Sequence, residues 1–185
     1  MMSALEFAQW IQFTGWATYL RSSAYTYPII LSTHLTGIAL FGGAILVTDL
    51  RLLGAVLRNQ PVADVVNQLR WPKRIGFLIV ATCGVLLASA KAEEYYYNAF
   101  FKIKLTLFAL VIVHALVFRG SVYNNAAALD QSRRMPGKAK LAAALSLLLW
   151  VSIACAGRGI GYIEPPLDKL HAALTNLTAI VARPK

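Results

Sequence analysis

The sequence predicts an all-α integral membrane fold: a four-helix transmembrane bundle with an amphipathic interfacial helix at its N-terminal and C-terminal ends. Two observations carry that expectation. The 185 residues are 58% hydrophobic and only 14% charged, well outside the balance of an ordinary soluble domain. The apolar residues also gather into four runs, each long enough to cross a hydrocarbon core of about 30 Å at about 1.5 Å per residue. The length allows one domain, 1–185. A net charge of +10 would point to nucleic acid in a soluble chain. Here the basic residues sit in the connections between apolar runs, so membrane topology explains them and no nucleic-acid partner is expected.

Residues 4–20 mix Trp10, Phe13, Trp16 and Tyr19 with Glu6, Gln9 and Gln12. That is too polar to span but suits a helix lying at the lipid–water boundary, where Trp and Tyr are favoured. No cleavable signal peptide is read in MMSALEFAQW, because Glu6 and Gln9 replace the usual basic start and apolar run.

The first span, about 28–48, opens on Pro28, which the first turn of a helix tolerates. His34 is the one ionisable group in its interior, and such a group usually faces the inside of a bundle. Residues 61–71 read as a short amphipathic surface segment ending at Pro72. The second span, about 75–91, carries Gly84 and Ala88 four apart, a seam that lets helices approach. Glu93, Glu94 and Tyr95-Tyr96-Tyr97 then read as a tight aromatic turn. The third span, about 99–118, contains Lys102, Lys104 and His114. The fourth, about 141–157, contains Trp150, Ser152 and Cys155 and is expected to break at Gly157-Arg158-Gly159. Beyond Pro165-Pro166, Leu167, Leu170, Leu174, Leu177 and Val181 fall on one stripe, predicting a surface helix over 166–182.

Orientation follows from the basic residues. Arg51, Arg58, Arg70, Lys73 and Arg74 fill the first connection, and Arg119, Arg133, Arg134, Lys138 and Lys140 fill the third; the second has Glu93 and Glu94. The positive-inside rule makes the first and third connections cytoplasmic. The expectation is a multi-pass protein of a bacterial inner membrane with both termini outside.

Counting from the span starts shows which polar groups share a depth. His34 lies about six residues in and Lys104 about five, both roughly 9 Å below the outer boundary. Cys83 and Cys155 fall in the same half, and Arg158 at its rim. His114 is roughly 13 Å deeper than His34. Axial nitrogens of one haem lie about 4 Å apart, so these two histidines are not expected to share an iron.

Three chemistries would use the outer cluster. A b-type haem would take His34 as an axial ligand, pair its propionates with Lys102, Lys104 or Arg158, and draw a second ligand from His171. A quinone would accept hydrogen bonds from His34 and Lys104. Copper would bind His34 with Cys83 and Cys155, since Cu(I) favours thiolate and imidazole. Each residue also has a plain reading: His34 as interhelical glue, the cysteines as packing groups, Lys102 and His114 reaching toward headgroups. Lys104 at the level of His34 suits propionate or carbonyl oxygens and repels a metal ion. No set of catalytic residues is read.

The string from Tyr27-Pro28 through His34-Gly37 to the exit Asp49–Gly54, with Phe100-Phe101-Lys102-Ile103-Lys104 and Gly157-Arg158, resembles a family of small bacterial four-helix membrane proteins of unknown function. The paired His span and Lys span are more distantly similar to copper-resistance D-type membrane domains and to HemJ-type protoporphyrinogen oxidase, whose helical His and Lys would correspond to His34 and Lys104. The outer-half pocket around His34 and Lys104 leads to the expectation of a redox-related membrane protein holding a tetrapyrrole or quinone, working in the lipid bilayer as a small oxidoreductase subunit or with a periplasmic redox partner. A copper-handling protein and a structural subunit of a larger complex are the alternatives.

Overall fold

The computed structural model describes residues 2–124, 126–130, 135–163 and 165. The surface helix expected over 166–182, and with it His171, lies outside the described residues. Nine α-helices occur among them: α1 (Ala4–Gln12), α2 (Gly15–Ser22), α3 (Thr26–Leu53), α4 (Val62–Gln68), α5 (Arg70–Ala90), α6 (Ala92–Tyr97), α7 (Ala99–Phe118), α8 (Ala126–Asp130) and α9 (Gly137–Ile160). Helices α3, α5, α7 (continued to Val122) and α9 are long and apolar enough to cross a membrane. The chain is therefore a multi-pass membrane protein with flanking short helices.

The N-terminal segment is two helices. Ser3 and Glu6 form a capping box that starts α1, with Ser3 N–H donating to Glu6 Oε2 at 2.7 Å and Glu6 N–H to Ser3 Oγ at 3.2 Å. Thr14 then turns extended and its Oγ1 donates to the Ile11 carbonyl at 2.7 Å, which separates α1 from α2. Trp10 and Phe13 are 61% and 68% exposed.

The spans outrun their apolar cores. Helix α3 continues to Leu53 and closes at Gly54, whose left-handed φ of 76° lets Gly54 and Ala55 N–H reach the carbonyls of Arg51 and Leu50. Helix α5 begins at Arg70, so Pro72 lies in its first turn, where no intrahelical N–H is needed. The expected aromatic turn is the short helix α6. Helix α9 does not break at Gly157 but runs to Ile160, because the glycines there serve close packing: a methyl added at Gly159 would lie 2.6 Å from the Phe100 ring.

Helix α3 is the centre of the bundle, packed against α5 on one side and α9 on another, while α7 packs on α9. Small residues set the closest approach. A Cβ at Gly37 would stand 2.6 Å from Ile79, and one at Gly76 2.8 Å from the Phe41 backbone nitrogen.

The connections at the Asp49 end fold into a compact cap. Leu52, Val62, Phe118, Val122, Leu129 and Ala142 bury one another there. A π-helical turn at Arg119–Tyr123 carries α7 into this cap. Asp130 accepts from the Val62 and Ala63 amides at 2.6 and 3.0 Å, supplying from α8 the cap that α4 lacks locally. Asp130→Ala is expected to cost about 1–2 kcal/mol and to lower the thermal unfolding midpoint in detergent, with Asp130→Asn recovering part of the loss.

Candidate functional site

Three layers stacked along the bundle follow from the antiparallel register. In the first, α3 presents His34, α5 presents Gly84, α9 presents Gly157 and α7 presents Lys104. A Cβ at Gly84 would lie 3.2 Å from His34 Cε1, and one at Gly157 would lie 3.6 Å from Lys104 Nζ. Two bases are thus accommodated by two glycines, one from each neighbouring helix.

His34 is 8% exposed, and its Nδ1 has no hydrogen-bond partner among the described residues. The Val80 carbonyl, one turn before Gly84, faces the ring, and Lys104 is close enough for its charge to act on it. Lys104 is half-buried, with its ammonium 5.9 Å from the centroid of the Phe108 ring. Among the described residues the ion pair within contact distance is Lys91–Glu94 at 3.1 Å, on the rim. Among the described residues the layer therefore holds two basic groups with no carboxylate paired to them.

The second layer is aromatic. Phe41 stands edge-on to Trp150 at 5.2 Å and tilted to Phe77 at 5.7 Å, and Phe108 meets Trp150 at 6.4 Å. These rings from four helices separate His34 from the polar groups beyond.

The third layer was not foreseen as a cluster. Lys73 Nζ donates to Thr48 Oγ1 at 2.7 Å, and the Ser146 hydroxyl bonds to Asp49. Asp49 is 1% exposed, yet its Oδ2 has no partner among the described residues. Arg51, two residues on and so on the other side of the helix, is turned away, its Nε and Nη2 donating to the Gln60 carbonyl at 2.8 and 2.6 Å. The signal in the sequence was Gly54: a helix that closes there holds Asp49 more than a full turn inside its end, and Asp49 is no flank.

His114 belongs to this end, its Nε2 2.9 Å from the Ala142 carbonyl. Lys104 faces Gly157, fifteen residues along α9 from Ala142, or roughly 22 Å. One iron cannot draw on both His34 and His114, as the depth count predicts.

The other predicted residues lie around the first layer. Lys102 is exposed over the Tyr96 ring at 5.3 Å, and Arg158 is exposed, donating to the Tyr162 hydroxyl at 2.8 Å. Both decorate the rim. Cys83 is buried and Cys155 exposed. Among the described residues no three His, Cys, Asp or Glu side chains gather to hold a metal ion, so His34, Cys83 and Cys155 do not form a ligand set.

A lid covers the rim. Gln9 Nε2 donates to Glu93 Oε1 at 2.9 Å, Glu93 N–H donates to Gln12 Oε1 at 2.9 Å, and Arg21 Nη1 donates to the Ala90 carbonyl at 3.0 Å. These contacts fasten α1 and α2 over the α5–α6 corner. Beside them Tyr95 stacks on Phe101 at 4.9 Å. Burial, and then the Tyr27 phenol, push the Tyr95 hydroxyl well above its ordinary pKa, so it stays a neutral donor.

In comparisons with known proteins, the model of a family of unknown function matches residues 7–163, which include all four spans. No curated protein and no solved structure matches.

Proposed function

We propose, from the premise that the chain belongs to DUF6644, a family of unknown function, that it is a redox-related membrane protein whose His34–Lys104 layer binds a tetrapyrrole or a quinone. One observation carries the reading: a buried imidazole whose Nδ1 has no partner among the described residues shares its level with a lysine, and no described carboxylate pairs with either. A buried polar atom without a partner costs about 1–3 kcal/mol. A ligand that supplies a partner to Nδ1 removes that cost, and carbonyl or carboxylate oxygens on it match the charge of Lys104.

Both ligand classes fit the donor set. A quinone would take hydrogen bonds from Lys104 and from His34 in the tautomer that carries its proton on Nδ1. A tetrapyrrole needs one axial nitrogen, which His34 supplies, and cations for its carboxylates, which Lys104 and the rim residues Lys102 and Arg158 supply. The likeness of the His-span and Lys-span pair to HemJ-type protoporphyrinogen oxidase points the same way. With the Arg- and Lys-rich connections cytoplasmic, the layer opens toward the outer leaflet. Electrons then pass to a partner on that side or to a larger oxidoreductase in the membrane.

The test is a visible spectrum of detergent-purified protein before and after dithionite, with metal analysis and a quinone-binding titration on the same sample. A Soret band that shifts on reduction, or saturable quinone binding, is expected. His34→Ala should weaken either by about 10–100-fold, the equivalent of one buried donor. A colourless protein with copper, or one with neither haem nor quinone affinity, overturns the reading.

A further inference from the structure

We propose that Asp49 is a proton-binding site inside the bundle, loaded and unloaded from the Lys73 end, with the proton as its ligand. The proposal does not depend on what His34 binds. It rests on how incompletely the Asp49 carboxylate is satisfied. The side chain is 1% exposed, Ser146 supplies one hydroxyl, and Oδ2 has no partner among the described residues. Lys73 faces it from α5 but gives its hydrogen bond to Thr48 Oγ1 at 2.7 Å, and no contact ion pair joins it to Asp49.

An ionised carboxylate buried with one hydroxyl and a lysine beyond contact distance is under-compensated. Taking a proton on Oδ2 makes the group a neutral acid and removes that deficit. In the step, a hydronium at the basic face gives its proton to the carboxylate, leaving water and a carboxylic acid. Lys73 keeps its charge throughout.

The neighbouring groups favour this exchange and confine it to one end. Ser146 is what α9 presents, and Lys73 is the charged group that α5 presents. Arg51 on α3 is held on the Gln60 carbonyl, and His114 on α7 meets the Ala142 carbonyl, one turn before Ser146 on α9. Toward His34 the Phe41–Trp150–Phe108 layer closes the path. Toward the basic end Lys73, in the first turn of α5, is the polar side chain leading inward.

The experiment is an infrared titration of the full-length protein in detergent between about pH 5 and pH 9, with aspartate carboxyls isotopically labelled. A carbonyl band of a neutral aspartic acid should rise and fall reversibly across that range and be absent in Asp49→Asn. Lys73→Gln removes a nearby positive charge, and Ser146→Ala removes a hydrogen bond to the carboxylate. Both favour the neutral acid, so each should move the midpoint to higher pH. These two variants decide the matter if Asp49→Asn does not fold. A wild-type protein with no such band overturns the proposal, as does a band unmoved by both Lys73→Gln and Ser146→Ala.

Discussion

Gly76→Leu is expected to leave almost no folded protein in the membrane fraction. At this position a Cβ would stand 2.8 Å from the Phe41 backbone nitrogen, 2.9 Å from its Cβ and 3.0 Å from its Cα. Backbone atoms cannot swing aside as a flexible side chain can, so α3 and α5 must separate. Overpacking of a close interface costs about 1–3 kcal/mol even where side chains can yield, and here the helix axis must move. Separation would also pull His34 off Gly84 and Thr48 off Lys73. Gly42→Ala is the matched control, since a Cβ there meets nothing within 4 Å; it should fold at wild-type yield. Equal yields of the two variants, read by size-exclusion chromatography in detergent, would show that the α3–α5 contact does not hold the bundle together.

Trp150→Ala comes second, with an expected loss of about 3–5 kcal/mol. Its indole is the shared member of the aromatic layer, meeting Phe41 at 5.2 Å and Phe108 at 6.4 Å. Truncation removes both contacts and leaves a void at the shared centre of the layer. Hydrogen exchange should rise at His34 and Asp49 together, because the layer that separates them is gone. Trp150→Phe keeps an edge-on ring and should retain most of the stability. A Trp150→Ala protein with an unchanged unfolding midpoint would mean that lipid-facing contacts, and not this layer, govern stability.

The sequence revealed the spans and the shared depth of His34 and Lys104, because hydropathy and a rise of about 1.5 Å per residue need no tertiary information. It was less informative wherever the outcome depended on a neighbour. Gly157 and Gly159 look like a helix stop in isolation; inside a bundle their missing side chains admit Lys104 and Phe100. Asp49 and Lys73 look like flanks when the apolar run defines the span. Helices α3 and α5 extend beyond their apolar runs, and that extension draws both residues inward. Lys102 and Lys104 are alike by composition, yet helical position alone sends one to the rim and the other to the interior.

The latch between the N-terminal helices and the α5–α6 corner has a consequence for biosynthesis. Gln9 and Glu93 are 84 residues apart, so α1 and α2 leave the ribosome well before their docking site exists. They must wait on the lipid surface, and their exposed Trp10, Phe13, Trp16 and Tyr19 give them a place to wait. Helix α7 is in the same position, since its main partner is α9, the last of these four spans to be made. A chain arrested before α9 therefore carries two inserted helices that pair and one that does not, and it is this species that the membrane's quality-control proteases would meet.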